Sequence, residues 1–268
     1  MPTKEPHRIT EGQIIVCEGQ TVTIVSENPS IHAVIDGQNN IVEDRGGFLY
    51  MEGGEVTMVH LELTAFTGST RGGVIAMRGQ GAQTLALQGC IFRSNAAEWY
   101  GGAVYAYGAD GDIPGSASLA VDDCLFENNT ALYNGGAVHF NGLYGSVSAA
   151  FNASRWEGNR ATHGGGIADL FGDLTANGCS FAGNVGASAG GAYYQYTAKG
   201  SPNASSVFLE CVFHGNEAPV GTGEDLHFHT VAEAREANSA LLCACEYEGV
   251  YADEAAVSIS EDPASCGI

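Results

Sequence analysis

The chain has 268 residues, 38 of them Gly and 44% hydrophobic, enough for one large domain or two ordinary ones. Ten basic residues against 31 acidic ones give a net charge of −21, which excludes attraction to nucleic acid or an anionic lipid surface. Cations, basic partners and plain solubility remain as readings of that charge. No run of about 18 apolar residues occurs, so no transmembrane segment is expected.

The opening stretch MPTKEPHRITEGQ lacks the apolar centre of a signal peptide. If the protein is exported, its leader is expected to lie outside this chain. Residues 1–20 are expected to cover the N-terminal end, because an open strand edge needs a cover. Strand-like segments follow in TVTIVS, IHAVIDG, GFLYMEG and EVTMVHLEL, short and rich in β-branched residues. The stretch LELTAFTGSTRGGVIAM reads as a degenerate repeat, with Leu63 nine residues before Gly72.

Five clear repeats come next: CIFRSNAAEWYGGAV, CLFENNTALYNGGAV, SRWEGNRATHGGGIA, CSFAGNVGASAGGAY and CVFHGNEAPVGTGED. Each places an aromatic (Phe92, Phe126, Trp156, Phe181, Phe213) three residues before an Asn (Asn95, Asn129, Asn159, Asn184, Asn216). In four of them a Gly-Gly pair starts nine residues after the aromatic, at Gly101, Gly135, Gly165 and Gly190. Thr222-Gly223 takes that place in the last. The aromatics are 34, 30, 25 and 32 residues apart, so the motif is rigid and the connection elastic.

Period-two alternation precedes each aromatic, as in LALQGCIF and SSVFLECVF, and a short strand follows each Gly-Gly pair, as in AVYAY and AYYQY. Helical spacing is absent across 50–222. Strand, Asn-bearing turn, Gly-Gly turn and strand then make one circuit of a solenoid. The sequence therefore predicts an all-β, single-domain parallel β-helix over 21–222. Eight or nine coils, stacked about 4.8 Å apart, would make a rod about 40 Å long. The aromatic and Asn columns are expected inside. Residues 223–268 read as an acidic terminal coil or cap, with ten acids and Arg235 the one base after Glu224. In it VAEAREANSALL has helix-forming composition.

The pairing of FxxN with GGA and an aliphatic residue resembles the repeat of the polymorphic outer-membrane-protein family. Phe92/Asn95/Gly101-Gly102-Ala103-Val104 and Phe126/Asn129/Gly135-Gly136-Ala137-Val138 carry the likeness, and Phe181/Asn184/Gly190-Gly191-Ala192 continues it. The third repeat departs, with Trp156 for Phe and Gly166-Ile167 for Ala-aliphatic. The resemblance implies a right-handed parallel β-helix of the pectin-lyase-like type, serving adhesion or surface display. It implies no catalytic role for the motif residues.

Eight cysteines and three sequons, at Asn128, Asn152 and Asn203, lean toward an oxidising compartment: extracellular, cell-surface or an organelle lumen. Cys90, Cys124, Cys179 and Cys211 form a column two residues before the aromatics, suited either to vertical disulfides or to stacked free thiols. Cys266 is the better candidate for tying down the tail. On the strand after Gly-Gly, the candidate binding face is Tyr105, Tyr107, His139, Asn141, Tyr194 and Tyr196, taken to point outward to a glycan or another protein. An ordinary Tyr-rich surface is the plain alternative.

No cofactor is expected. Calcium is the one ion considered, at Asp110 and Asp112 or at Asp122 and Asp123. A metal would otherwise need Asp225, His227 and His229, where a solvated His pair is the simpler reading. Catalysis by a polysaccharide lyase or glycoside hydrolase would rest on Asp122, Asp123 and Asp169. The sequence favours a non-catalytic structural, adhesive or docking module. An accessory scaffold subunit of a larger assembly is the second reading.

Overall fold

A computed structural model describes residues 7–8, 13–28, 30–38, 46–67, 69–110, 113–198, 204–230, 238–253, 256–262 and 266. Among them no α-helix occurs, and the strands form four parallel sheets that run along a single solenoid. A long-strand sheet and a post-glycine sheet have nine strands each, an aromatic sheet has eight and a narrow sheet has five. A small antiparallel hairpin, Ala109–Asp110 with Ile113–Pro114, projects from one corner.

One coil shows how the sequence folds. Ser116–Asp122 alternates exposed and buried residues, as a strand with one face on the core must. A single left-handed residue, Asp123 at φ 50°, turns the chain into Leu125–Glu127 of the aromatic sheet. A second, Asn128 at φ 54°, turns it into Thr130–Ala131 of the narrow sheet. The Gly-Gly turn then leads into Val138–Asn141 of the post-glycine sheet.

The two glycines of that turn have different reasons to be glycine. Gly101 has φ 61°, a conformation costly for a side chain. A Cβ on Gly102 would run into the carbonyl oxygen of Gly136 one coil away. In the third repeat the left-handed residue is Gly164, and the Gly136 amide donates to its carbonyl. The pair is therefore Gly164-Gly165, one residue earlier than expected, because three consecutive glycines hide the register. In the last repeat Gly223 is the left-handed residue and Glu224 follows it.

The repeat aromatics pair in register and stack inside. Successive ring centroids from Phe92 to Phe126, Trp156, Phe181 and Phe213 lie 5.0, 5.2, 4.7 and 4.7 Å apart with planes within 12°. All five are buried. Each contributes about 1.5–3 kcal/mol by leaving water.

Beside this stack runs an amide ladder. The Oδ1 of Asn159 accepts from the backbone N and the Nδ2 of Asn129, at 2.9 and 3.0 Å. Its own Nδ2 donates to the Phe126 carbonyl and to Oδ1 of Asn184, both at 2.9 Å. The pattern repeats from Asn95 to Asn216.

The cysteine column is a stack of free thiols: Cys90, Cys124, Cys179 and Cys211 are buried and unbridged. Ser154 holds the skipped position, its Oγ accepting from the Cys124 amide at 3.0 Å. Each thiol points at a backbone carbonyl 3.3–3.5 Å away. A disulfide ties Cys243 to Cys266.

Seven coils have a long, an aromatic and a post-glycine strand, one or two fewer than expected. The terminal circuits are incomplete: in the last, the aromatic position is a single bridge from Val212 to Glu246. The sheets also run beyond 21–222, since Ile14–Val16 pairs with Leu49–Met51 and Val250–Asp253 pairs with Leu226–Thr230. Of the helix-forming stretch, 231–237 lie outside the described residues. Residues 238–242 belong to strand Asn238–Cys243, paired with Ala204–Leu209 and Ala256–Ser260. Two-sided pairing there overrides intrinsic propensity.

Candidate functional site

The post-glycine strands turn alternate side chains to the core and to the outside. Val104, Ala106, Val138 and Phe140 face the core. The outer positions, read in register along the rod, form two rows. The first runs Tyr105, His139, Ala168, Tyr194, His227, Tyr251. The second runs Tyr107, Asn141, Leu170, Tyr196, His229, Asp253. All six residues expected on the binding face are in these rows.

They are not equally accessible. Tyr105, Tyr107 and His139 are only 4, 9 and 1% exposed, because Tyr100 folds over them. Its ring stacks on His139 at 5.0 Å and on Tyr105 at 6.2 Å. Burial depresses the His139 pKa to about 3, so the imidazole is neutral, and it pushes the Tyr105 phenol well up. Toward the C-terminal end Tyr194 and Tyr196 are partly open and Tyr251 is exposed.

A bank of side chains from the narrow sheet, each just before a Gly-Gly turn, flanks these rows. Tyr100 bridges to Asn134 and Asn134 to His163. The His163 ring packs on Tyr194 at 4.9 Å, and its Nδ1 lies 3.2 Å from Asn134 Oδ1. Exposed rings continue the bank outward: Trp99, with the Arg71 guanidinium 5.1 Å from its centroid, and Tyr133, 6.0 Å from Tyr100. Near the other end of the same face a depression of about 360 Å³ is lined by Cys17, Glu18, Tyr50, Glu52 and Arg78.

The bank residues went unread in the sequence, although the signal was there. Trp99-Tyr100, Tyr133-Asn134 and His163 all sit directly before Gly-Gly. Their identities vary, so they form no motif; only the register of the sheets brings them together.

The remaining candidates separate. Asp169 lies inside the coil, where its register neighbours are Phe140 and Gln195, and it is 0% exposed. It accepts from the Gly172 amide at 2.8 Å and the Tyr193 hydroxyl at 3.0 Å. Burial raises its pKa to about 7. It is therefore enclosed and not an open catalytic carboxylate: Gly164 rather than Gly165 sets the register, and that turns position 169 inward. Asp122 is exposed at the end of a long strand, where Asn152 Nδ2 donates to it at 2.7 Å, and Asp123 is the corner residue. The three acids do not converge.

Asp225 does not join the histidines either. It is buried at the foot of the amide ladder, accepting from Asn216 Nδ2 at 2.8 Å and from the Gly249 amide at 3.1 Å. Asp253, from the next coil, takes the expected place beside the pair, its Oδ2 2.9 Å from His229 Nδ1. Asn128 and Asn152 are exposed at corners, while Asn203 lies outside the described residues. So does Asp112, and the side chain of Asp110.

Residues 123–141 match the family model of the Chlamydia polymorphic membrane protein repeat. The matched segment runs from the Asp123 corner through the ladder Asn129 and the Gly-Gly turn to the outer strand Val138–Asn141. No curated protein and no solved structure matches the chain. No described helix is long and apolar enough to cross a membrane.

Proposed function

We propose that this chain is a non-catalytic binding module, displayed at a cell surface, that docks its ligand along the outer post-glycine face. One observation carries the reading: exposed Trp99 and Tyr133 and the partly open Tyr194 and Tyr196 lie along one side of the rod. Such rings offer flat apolar area with polar edges, the chemistry that stacks sugar faces. A repeat match to a membrane-protein family supports surface display. The enclosure of Asp169 inside the coil, apart from the exposed Asp122 and Asp123, supports a non-catalytic role.

A partner protein is the second reading, with the chain as an accessory scaffold. Leu132 at 59% exposed, Leu143 and Tyr144 favour it, since apolar side chains left in water mark docking surfaces. An oligosaccharide array with mass-spectrometric detection of products tests the proposal. The expected result is retention of one or more glycans without shortening. Release of shortened or unsaturated products would overturn the non-catalytic reading.

A further inference from the structure

His227, His229 and Asp253 bring three ligand atoms within 4.8 Å of one another at the C-terminal end of the post-glycine face. The two histidines share one face of strand Leu226–Thr230, and strand pairing sets Asp253 directly beside His229. The arrangement around His227 is the telling part. Its Nδ1 lies 2.9 Å from the Thr222 carbonyl, which can only accept, so the ring proton sits on Nδ1. The neutral ring then carries its lone pair on Nε2.

That Nε2 is buried and has no hydrogen-bond partner, in a residue only 6% exposed. It faces Asp253 Oδ2 at 3.9 Å. The carboxylate is served by His229 and Tyr251, but the buried Nε2 lone pair faces its oxygen with no donor of its own, a configuration that costs free energy unless a cation lies between them. Ligands on a tetrahedral ion with bonds of about 2.0–2.1 Å stand about 3.3 Å apart. The observed separations of 3.9 Å to His227 and 2.9 Å to His229 bracket that value.

We infer that His227 Nε2, His229 Nδ1 and Asp253 Oδ2 form a site for one divalent transition-metal ion of the zinc class. Two imidazoles and one carboxylate suit such an ion and leave a coordination position open toward the outer face. Calcium does not fit, since it needs six to eight oxygens and this cluster offers one carboxylate. The site stands independently of the glycan reading.

Zinc titrated into the chelator-treated, refiltered full chain tests it by calorimetry. One equivalent is expected to bind, and excess calcium is expected not to displace it. His229→Gln and Asp253→Asn are each expected to weaken binding at least about tenfold with an unchanged circular-dichroism spectrum. In the parent, one equivalent of zinc should shift the imidazole resonances of His227 and His229 and leave those of His32, His60 and His214 in place. Absence of binding, displacement by calcium, or equal affinity in both variants would overturn the inference. So would zinc-induced shifts at the other histidines instead.

Discussion

At Asp169 the interior of the solenoid meets a titratable group. The carboxyl is enclosed by Tyr193, Ser206, the Gly172 amide and, nearest in charge, Asp173. Its folded pKa is about 7, against about 3.9 in an unfolded chain. The folded protein therefore holds the extra proton between these values, and its contribution is complete at low pH and lost as pH rises toward 7. Asp169→Asn keeps the acceptor for Gly172 and removes the ionisation. Its stability relative to the parent should grow by up to about 1.4 kcal/mol per pH unit from pH 4 to 7, then level off. Urea denaturation across that range measures it; a difference independent of pH would contradict the assignment. His139 acts in the opposite sense, with its folded pKa depressed, so its contribution falls as pH drops below about 6.5. Comparing variant with parent isolates Asp169 because both retain His139.

At the scale of the coil, two devices do different work. Asn159 serves two donors of Asn129 and donates to Phe126 and Asn184. Asn159→Ala leaves several of these buried groups without partners and should cost on the order of 3–5 kcal/mol. Asn152→Ala, at an exposed corner, should stay within about 0.5 kcal/mol. Equal effects in chemical denaturation would mean the ladder carries no weight. The corners are strained in places: Ala153 has φ 47°. Glycine is free of that cost, so Ala153→Gly should raise stability by about 0.5–1 kcal/mol, and a loss of that size would show that the corner is not left-handed in solution. These columns were legible in the sequence because each recurs at one offset from its aromatic. The register of the third repeat was not, because a run of three glycines offers two equally good pairs. Neither was strand Asn238–Cys243, where pairing on both sides outweighs the helical preference of its flanking residues.

Over the whole molecule, the repeat specifies what faces inward, and recognition is left to residues that do not repeat. The outward rows were partly legible, since alternation from Val104 and Val138 assigns Tyr105 and His139 to the outside. Their burial was not, because the covering ring, Tyr100, comes from a different sheet. Asp253 was missed as the partner of His227 and His229 for a related reason: it is 24 residues beyond His229, and only the coil repeat sets them side by side. A net charge of −21 adds a further constraint, favouring neutral or basic ligands over anionic ones. The account rests on the post-glycine face, together with the exposed rings of the bank that flanks it, being the surface that recognises the ligand. The most direct measurement compares the parent, Trp99→Ala/Tyr133→Ala, and a control pair on exposed apolar positions elsewhere, Val25→Ala/Ile31→Ala, on one oligosaccharide array. The face variant should lose affinity at least about tenfold, equivalent to 1.4 kcal/mol, with its melting temperature and the control pair's binding unchanged. Undiminished binding by the face variant, or equal loss in the control pair, would contradict it.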